Sequence, residues 1–204
     1  MSSYRVRGVL FDLDGVLIDS SRAWFATIVA VRSKLGLPAI VFDDFFPTFG
    51  QGVEADRDAY FAGQTVEQVV ALYDELFVDH LDEVRLMRGA LDVLEHLRDD
   101  RLKLAVVTNT PRVLAERVIR DKQLWPLIDA LAAAGEAADK PAPDLIELAL
   151  ERVDLAASEV VYVGDSPTDQ RATAAAGVEI VGIGKLKVSQ HIDELSELLP
   201  LIAA

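Results

Sequence analysis

The chain has 204 residues and 51% of them are hydrophobic, which excludes a wholly disordered protein and allows one core with a modest inserted subdomain. Its 20 basic and 34 acidic residues give a net charge of −14, which argues against nucleic acid or an anionic membrane as a partner, because both require a basic surface. The absence of cysteine excludes disulfides, cysteine-ligated zinc and a thiol nucleophile. With no apolar run near the ~18 residues of a membrane span and no secretory signal, the sequence predicts a cytoplasmic protein and leaves its oligomeric state open.

Short apolar runs along the chain predict five β-strands. Most of them contain Val, Ile or Tyr without strict polar alternation, which is typical of parallel strands that are buried on both faces. The runs cover residues 6–12, 102–108, 130–134, 159–164 and 178–183, and the alanine-rich third run gives the weakest signal.

Helical patterns lie between and after these strands. Strands that alternate with helices predict a Rossmann-like α/β fold, in which a parallel sheet lies between two layers of helices. The predicted helices cover residues 91–97, 111–122, 143–153 and 167–176, and a last helix covers 192–202.

The interval 16–84 breaks this alternation. It contains helical patterns over residues 20–35 and 66–81, an irregular middle over 43–58, and no clear strand. We therefore expect a helical subdomain at 16–84, inserted into a catalytic core made of residues 1–15 and 85–204. Phe45, Phe46 and Phe49 in its middle are candidates for the core or for the wall of a pocket.

Two carboxylates mark the end of the first predicted strand, in the segment FDLDGVLIDS. Asp12 and Asp14 are two residues apart, so both side chains leave an extended segment on one side. Open α/β sheets bind ligands at the carboxyl ends of their strands, and paired carboxylates there favour a hard cation such as Mg²⁺. Asp14 followed by Gly15 is also ordinary turn chemistry, but a turn does not explain Asp12 beside an apolar run.

The second predicted strand ends in VVTNTP. Thr108 and Asn109 lie at its tip, and Thr110 followed by Pro111 predicts a helix N-cap and a first helical residue. A helix N-terminus at a strand end can bind an anion. Taken alone, these residues fit ordinary local structure as well as they fit a binding site.

The remaining candidates follow in the segments ADKPAPD and GDSPTD. Lys140 lies in a loop before a helix, where an isolated lysine is usually a solvated charge. Asp165 stands directly at the end of the fourth strand. Asp169 follows Ser166 by three residues, which is the spacing of a capping box.

The order of these four segments resembles the haloacid-dehalogenase-like superfamily of aspartate-nucleophile phosphatases. The similarity covers nearly the whole chain, and it is greatest to the phosphoglycolate phosphatase and β-phosphoglucomutase branch. The resemblance implies a core with a helical cap and a Mg²⁺-dependent hydrolase that acts on a small phosphorylated metabolite.

The resemblance also implies a catalytic role for each motif. Asp12 would be the nucleophile that becomes an aspartyl phosphate, and Asp14 would act as general acid and then as general base. Thr108 and the amide of Asn109 would hold the phosphoryl oxygens. Lys140 would bind the phosphate and offset its charge and that of Asp12.

For the metal, the resemblance implies a set of oxygen ligands. Asp12, Asp165 and the backbone carbonyl of Asp14 would bind Mg²⁺. Asp169 would support the ion through water or from an outer position.

Several alternatives stay open from the sequence. A sugar-phosphate mutase shares the core and needs a cap that holds a second phosphate; Arg57 is a candidate contact, although a surface ion pair with Asp56 or Asp58 explains it equally well. Dehalogenases and phosphonate-cleaving relatives are disfavoured because they lack an acid at the position of Asp14. Phosphonate-cleaving relatives also place a lysine in the cap, and Lys34, the only lysine of the insertion, is more simply a surface charge. A phospho-acceptor switch or an inactive pseudo-phosphatase is the non-enzymatic alternative.

Overall fold

The computed structural model describes residues 6–202, and a parallel six-stranded sheet forms its centre. Its strands and those of a small second sheet are, in chain order, β1 (Gly8–Phe11), β2 (Ile18–Asp19), β3 (Arg85–Leu86), β4 (Lys103–Pro111), β5 (Ala130–Ala134), β6 (Val160–Gly164), β7 (Glu179–Ile183) and β8 (Gln190–Ile192). The large sheet has the order β5-β4-β1-β6-β7-β8, while β2 and β3 pair separately and antiparallel.

Nine α-helices lie within the described residues. They are α1 (Ser21–Lys34), α2 (Phe42–Phe45), α3 (Val53–Tyr60), α4 (Val66–Leu76), α5 (Ala90–Asp99), α6 (Arg112–Asp121), α7 (Asp144–Val153), α8 (Pro167–Ala176) and α9 (Leu198–Ile202). Short 3-10 segments at Phe46–Thr48, Phe77–Glu83, Trp125–Leu127, Ala157–Glu159 and Leu195–Glu197 complete the helical structure.

The large sheet is buried on both faces, as its apolar strands predict. In β1, Val9 and Phe11 belong to one apolar cluster and Leu10 belongs to the other, because successive side chains of a strand point to opposite faces. Helices α5, α6 and α9 contribute to the first cluster, and α7 and α8 contribute to the second. The predicted α/β fold with two helical layers is confirmed.

Strand β1 lies between β4 and β6, and this placement decides where the site forms. Phe11, its last residue, pairs with Val106 of β4 and with Val163 of β6. Because all three strands are parallel, their carboxyl ends meet at one edge of the sheet. The residues that follow these strands are therefore brought together.

Helices α1 to α4 follow β2 and precede β3, within the interval that was predicted to be an inserted helical subdomain. They pack largely through aromatic contacts: the ring of Trp24 lies 5.1 Å from that of Tyr73 and 4.6 Å from that of Phe77. Strands β2 and β3 join the two ends of the interval, which the sequence pattern did not predict because each strand has only two residues. Residues 1–5 and 203–204 of the predicted core lie outside the described residues.

The prediction for the end of the chain is partly wrong. Ile192, which was assigned to the last helix, lies in β8 at the edge of the large sheet, and α9 begins only at Leu198. Ile192 repeats with Leu195 and Leu198 at helical spacing, so the apolar pattern extended the predicted helix across a strand and a 3-10 turn. Within residues 6–202, no helix is long and apolar enough to cross a membrane.

Candidate active site

The first element of the site is the turn after β1, which carries Asp12 and Asp14. Gly15, the next residue, has a φ of +87°, in the left-handed region that favours glycine. A Cβ atom at Gly15 would lie 2.1 Å from Oδ2 of Asp165. The glycine therefore lets the turn approach the carboxylate that follows β6.

Three carboxylates converge beside this turn. Asp12, Asp165 and Asp169 each place one oxygen within 4.8 Å of the others, an arrangement that could hold a metal ion. Asp165 follows β6, and Asp169 lies in the first turn of α8. The sheet order and the start of one helix thus bring together residues from two distant parts of the chain.

Lys140 lies directly against this cluster. Its Nζ is 2.9 Å from Oδ1 of Asp12 and 2.7 Å from Oδ1 of Asp169, and it donates to the hydroxyl of Tyr162 at 3.0 Å. Only 3% of the residue is exposed, so it is not the solvated loop lysine that local sequence alone suggests. Burial alone would lower the pKa of Lys140, but the charges of Asp12 and Asp169 raise it above its ordinary value, and the side chain is a fixed ammonium group.

The three carboxylates carry more negative charge than one ammonium group offsets. Burial, with the neighbouring Asp169 carboxylate, raises the pKa of Asp12 well above its usual range. The same two causes raise the pKa of Asp165 to about 7. Burial acts in this direction on Asp169 as well, but the charge and hydrogen bonds of Lys140 and Ser166 outweigh it and lower the pKa of Asp169. The cluster therefore favours an additional cation.

The carboxylate of Asp14 accepts hydrogen bonds from a separate set of donors. Its Oδ1 accepts hydrogen bonds from the hydroxyl of Ser20 and, at 3.3 Å, from Nε1 of Trp24. Its Oδ2 accepts from the hydroxyl of Thr110 at 2.7 Å and from that of Thr108 at 3.3 Å. These contacts tie the side chain of Asp14 both to the end of β4 and to helix α1.

The predicted cap at Thr110 and helix start at Pro111 are wrong. Strand β4 continues to Pro111, which is the N-cap residue of α6, and no side chain caps this helix. The hydroxyl of Thr110 instead donates to Asp14, which is 96 residues away in the chain. The local sequence predicted that this hydroxyl would cap the helix, but in the folded chain it donates to the carboxylate that follows β1.

Asn109 uses its side chain to hold the Lys140 loop. Its Nδ2 donates to the carbonyl oxygen of Lys140 at 2.8 Å, and its Oδ1 accepts from the amide of Lys140, also at 2.8 Å. Thr108 and Asn109 are both almost fully buried beside Asp14 and Lys140. The structure thus brings the residues of the second and third motifs into direct contact.

Asp169 forms the predicted helix cap and also contacts Lys140, which the sequence did not predict. It forms a reciprocal capping box with Ser166 at the start of α8, as its spacing predicted. Its Oδ1 also accepts hydrogen bonds from Lys140 and, at 2.9 Å, from the hydroxyl of Tyr162. One fully buried carboxylate therefore caps a helix and orients the ammonium group.

A cavity of about 460 Å³, including its open mouth, lies between the sheet edge and the inserted helices. Phe45 and Phe49 line it, while Phe46 is 42% exposed. Its remaining lining residues are Asp12, Asp14, Thr108, Asn109, Thr110 and Pro111 at the sheet edge, and Trp24, Gly50, Gly52, Val53, Asp56 and Tyr73 in the insertion.

The sequence did not assign five polar or aromatic residues that contact the site or line the cavity. Ser20 and Trp24 were treated as helix residues, Tyr162 as an apolar strand residue, and Asp56 and Tyr73 as parts of the insertion. Tyr162 carries the one usable signal, since its hydroxyl requires a partner in a strand that is otherwise apolar. The other four are placed by tertiary packing of the insertion, which no local pattern encodes.

Comparison with known proteins agrees with this geometry. A family model described as haloacid dehalogenase-like hydrolase matches residues 9–183. A phosphoglycolate phosphatase of Xanthomonas campestris is 34% identical over 183 residues, covering 86% of this chain and 81% of the relative. A validoxylamine A 7'-phosphate phosphatase of Streptomyces hygroscopicus is 29% identical over 199 residues, covering 93% and 91% of the two chains.

The fold has a close counterpart among solved structures. A protein of Lactobacillus plantarum superimposes with a TM-score of 0.85 at 24% identity, covering 96% of this chain and 99% of that one. The predicted family and the predicted enzyme class, a phosphatase of that family, are confirmed. The chain belongs to the haloacid dehalogenase-like hydrolase family.

Proposed function

We propose that this protein is a Mg²⁺-dependent phosphomonoester hydrolase that acts on a small phosphorylated metabolite through an aspartyl phosphate on Asp12. The observation that carries the proposal is the placement of Asp12 beside an ammonium group and two further carboxylates. Nζ of Lys140 lies 2.9 Å from Oδ1 of Asp12, on a side chain that is almost fully buried. This contact favours the charged form of Asp12, which is the form that attacks phosphorus.

Charge repulsion is the main obstacle to this reaction. A carboxylate that attacks an anionic phosphoryl group at ~4 Å, in an effective dielectric near 20, meets a repulsion of ~4 kcal/mol per pair of unit charges. Left uncompensated, this repulsion would cost on the order of three decades in rate. Lys140 offsets part of it, because it contacts Asp12 with its charge fixed.

The remaining charge fits a divalent cation. Asp12, Asp165 and Asp169 offer hard oxygen ligands within one small volume, and such ligands suit Mg²⁺. Asp12, Asp165 and the backbone carbonyl of Asp14 would hold the ion, with Asp169 in support. When bound, Mg²⁺ would neutralise negative charge on the phosphoryl group.

The protein's own residues supply the other steps. The oxygen of Asp12 attacks phosphorus while the ester P–O bond breaks, and Asp14 gives its proton to the departing alkoxide oxygen. Asp14 then takes a proton from the water that attacks the aspartyl phosphate, which releases inorganic phosphate and restores Asp12. The hydroxyl of Thr108 and the amide of Asn109 hold the phosphoryl oxygens during both steps.

We also propose that residues 16–84 act as a cap over the core formed by residues 1–15 and 85–204. The pairing of β2 with β3 supports these boundaries, because it joins the two connections that lead into and out of the insertion. The donor set of Asp14 supports a role for the cap in catalysis, since Ser20 and Trp24 belong to the insertion.

The cavity favours hydrolysis over the mutase alternative. A sugar-phosphate mutase needs a cationic group to hold a second phosphate, and no Arg, Lys or His is among the residues that line this cavity. Arg57, the candidate from the sequence, instead pairs with Asp58 at 2.7 Å and with Glu54 at 3.5 Å.

The proposed function is tested with p-nitrophenyl phosphate and a panel of metabolite phosphates, with and without Mg²⁺. We expect Mg²⁺-dependent release of inorganic phosphate by the wild type and by Asp58→Asn, whose carboxylate is 68% exposed on α3. Asp12→Asn is expected to lose this activity. Isomerised sugar phosphate without net phosphate release would instead indicate a mutase, and activity retained by Asp12→Asn would refute the nucleophile.

A further inference from the structure

The cavity above Asp12 has an unusual charge pattern for a site that accepts phosphorylated metabolites. Among residues 6–202, three carboxylates line it, those of Asp12, Asp14 and Asp56, and no cationic side chain does. The proposed reaction gives roles to Asp12 and Asp14 but none to Asp56. Asp56 lies on helix α3 of the insertion, on the side where the alcohol part of a substrate would be held.

Resting on the proposed phosphatase function, we infer that the substrate's alcohol part carries no second anionic group and presents a hydrogen-bond donor, an ammonium or a hydroxyl group, to Asp56. This selects against substrates with a carboxylate or a second phosphate. Three features support this specificity: a free acceptor on Asp56, further acids close to the cavity, and the ion pairs that hold two nearby cations.

Asp56 has an acceptor that the protein leaves free. Its Oδ2 accepts a hydrogen bond from the hydroxyl of Tyr73 at 2.8 Å, and its Oδ1 has no hydrogen-bond partner among residues 6–202. Tyr73 is fully buried and its ring packs against Trp24 and Phe61, so the hydroxyl fixes the carboxylate in place. A positioned carboxylate oxygen at a cavity wall recognises a donor, because leaving it unpaired under a bound ligand is unfavourable.

Further acids lie close to the same cavity. A Cβ atom at Gly52, a lining residue, would lie 3.2 Å from Oδ2 of Asp139. Burial and the carboxylate of Glu54 raise the pKa of Asp139, which places these two acids near one another. A second anionic group on the substrate would therefore meet like charge from both the insertion and the core.

Two cationic side chains close to the cavity are paired with carboxylates. Lys140 is buried against Asp12 and Asp169 below the cavity floor. Arg57, the neighbour of Asp56, pairs with Glu54 and Asp58. Neither side chain is among the lining residues, so the described part of the chain provides no partner there for a carboxylate or a second phosphate.

The rest of the wall is apolar and suits a small organic group. Trp24, Phe45 and Phe49 line the cavity, and the rings of Phe45 and Phe49 are 5.7 Å apart. These side chains can cover the carbon atoms of the alcohol, while Asp56 is the polar group that orients it.

The inference is tested with three phosphate esters of equal length that differ only in their end group. They are O-phosphoethanolamine with an ammonium group, 2-hydroxyethyl phosphate with a hydroxyl group, and 2-phosphoglycolate with a carboxylate. Binding is measured by calorimetry on Asp12→Asn, where turnover cannot interfere, and turnover of the wild type is measured separately. Failure of the proposed function then appears as absent turnover, while failure of the inference appears in the order of affinities.

We expect the ammonium or the hydroxyl ester to bind at least about tenfold more tightly than 2-phosphoglycolate. Adding Asp56→Asn should reduce this preference to within about threefold, whereas adding Asp43→Asn, at an exposed position of α2, should leave it unchanged. Equal or tighter binding of 2-phosphoglycolate would overturn the inference. So would an unchanged preference in a folded Asp56→Asn variant, with folding verified by circular dichroism.

Discussion

The side chain of Asn109 makes two hydrogen bonds to the backbone of Lys140, one to its carbonyl oxygen and one from its amide, each 2.8 Å long. The amide plane of Asn109 thereby fixes the loop from which the ammonium group reaches Asp12. The second motif thus positions the third, in addition to its proposed contact with the phosphoryl group.

Replacing Asn109 with alanine removes both bonds and keeps the backbone amide that is proposed to bind phosphate. We expect kcat to fall by about ten- to a hundredfold with KM changed by less than about threefold, because the variant loses the placement of Lys140 and retains substrate contacts. Steady-state kinetics check this, with Gln170→Ala on the exposed side of α8 as the control. A rise in KM at constant kcat would contradict a positioning role.

Lys140→Met leaves two buried carboxylates without their cation. We expect a loss of about 3–5 kcal/mol in the free energy of unfolding at neutral pH, because the buried charge of Asp169 is no longer offset by an ammonium group. Lys140 makes the largest contribution to lowering the pKa of Asp169, so the stabilising contribution of this pair is present at neutral pH and is lost in acid.

The deficit of Lys140→Met relative to the wild type should therefore shrink as the pH falls. Urea unfolding at several pH values measures it, with Lys187→Met, 65% exposed, as the control. A deficit that is independent of pH would contradict the assigned charges.

Mg²⁺ is expected to stabilise the folded protein directly. At a concentration about a hundred times its dissociation constant, a ligand that binds only the native state adds about 2.7 kcal/mol. Asp165→Asn should remove most of this effect, whereas NaCl at equal ionic strength should not reproduce it.

The stabilisation by Mg²⁺ should also depend on pH. Burial and Asp169 raise the pKa of Asp165 to about 7, so its contribution to the stability of the metal-free protein is lost as the pH rises through that value. Thermal denaturation should therefore show a larger Mg²⁺ effect above about pH 7 than below it. A wild type that is insensitive to Mg²⁺ would contradict the metal site.

Asp56 gives a prediction for stability that is independent of catalysis. Burial raises the pKa of Asp56 to about 6, against a lowering effect of the hydrogen bond from Tyr73. The native state thus binds this proton more tightly than the unfolded chain, and the contribution is full in acid and lost as the pH rises through about 6. Asp56→Asn, neutral throughout, should exceed the wild-type free energy of unfolding by about 1–3 kcal/mol near neutral pH.

This difference for Asp56→Asn should vanish below about pH 3, where the carboxyl group of Asp56 is protonated in both the folded and the unfolded chain. Denaturant unfolding at the two pH values checks it. A variant that is less stable than the wild type at neutral pH would contradict this prediction, because it would mean that the charged form of Asp56 is stabilised by a group other than Tyr73.

Local signals predicted the elements whose determinants are local. Helix α8 has the predicted bounds, 167–176, because Ser166, Pro167 and Asp169 start it and Gly177, with a φ of +70°, ends it. The buried strands β1, β4 and β6 were predicted from their apolar runs for the same reason.

Elements that depend on distant partners were not predicted. Strand β8 has only three residues and takes its place from pairing with β7, not from its own apolar pattern. The hydroxyl of Thr110 donates to Asp14 and does not cap the helix as predicted. Lys140 pairs with two buried carboxylates and is not solvated as its loop position suggests. The order of the motifs indicated which residues belong to the site, but only tertiary structure showed their partners.

The cavity wall was the least predictable part. Asp56 and Tyr73 lie on different helices of the insertion, 17 residues apart, and their hydrogen bond follows from how α3 packs against α4. Neither residue belongs to a motif. Sequence reasoning consequently placed the reaction chemistry at the sheet edge and left the substrate side of the site undescribed.

The central claim is that Asp12 becomes phosphorylated during turnover. Enzyme mixed with a substrate that it hydrolyses is quenched in acid within a single turnover, digested, and mapped by mass spectrometry. If Asp12 is the nucleophile, one base-labile phosphoryl group is found on the peptide that contains Asp12. A phosphoryl group on another residue, or its absence while inorganic phosphate is released, would show that Asp12 is not the nucleophile.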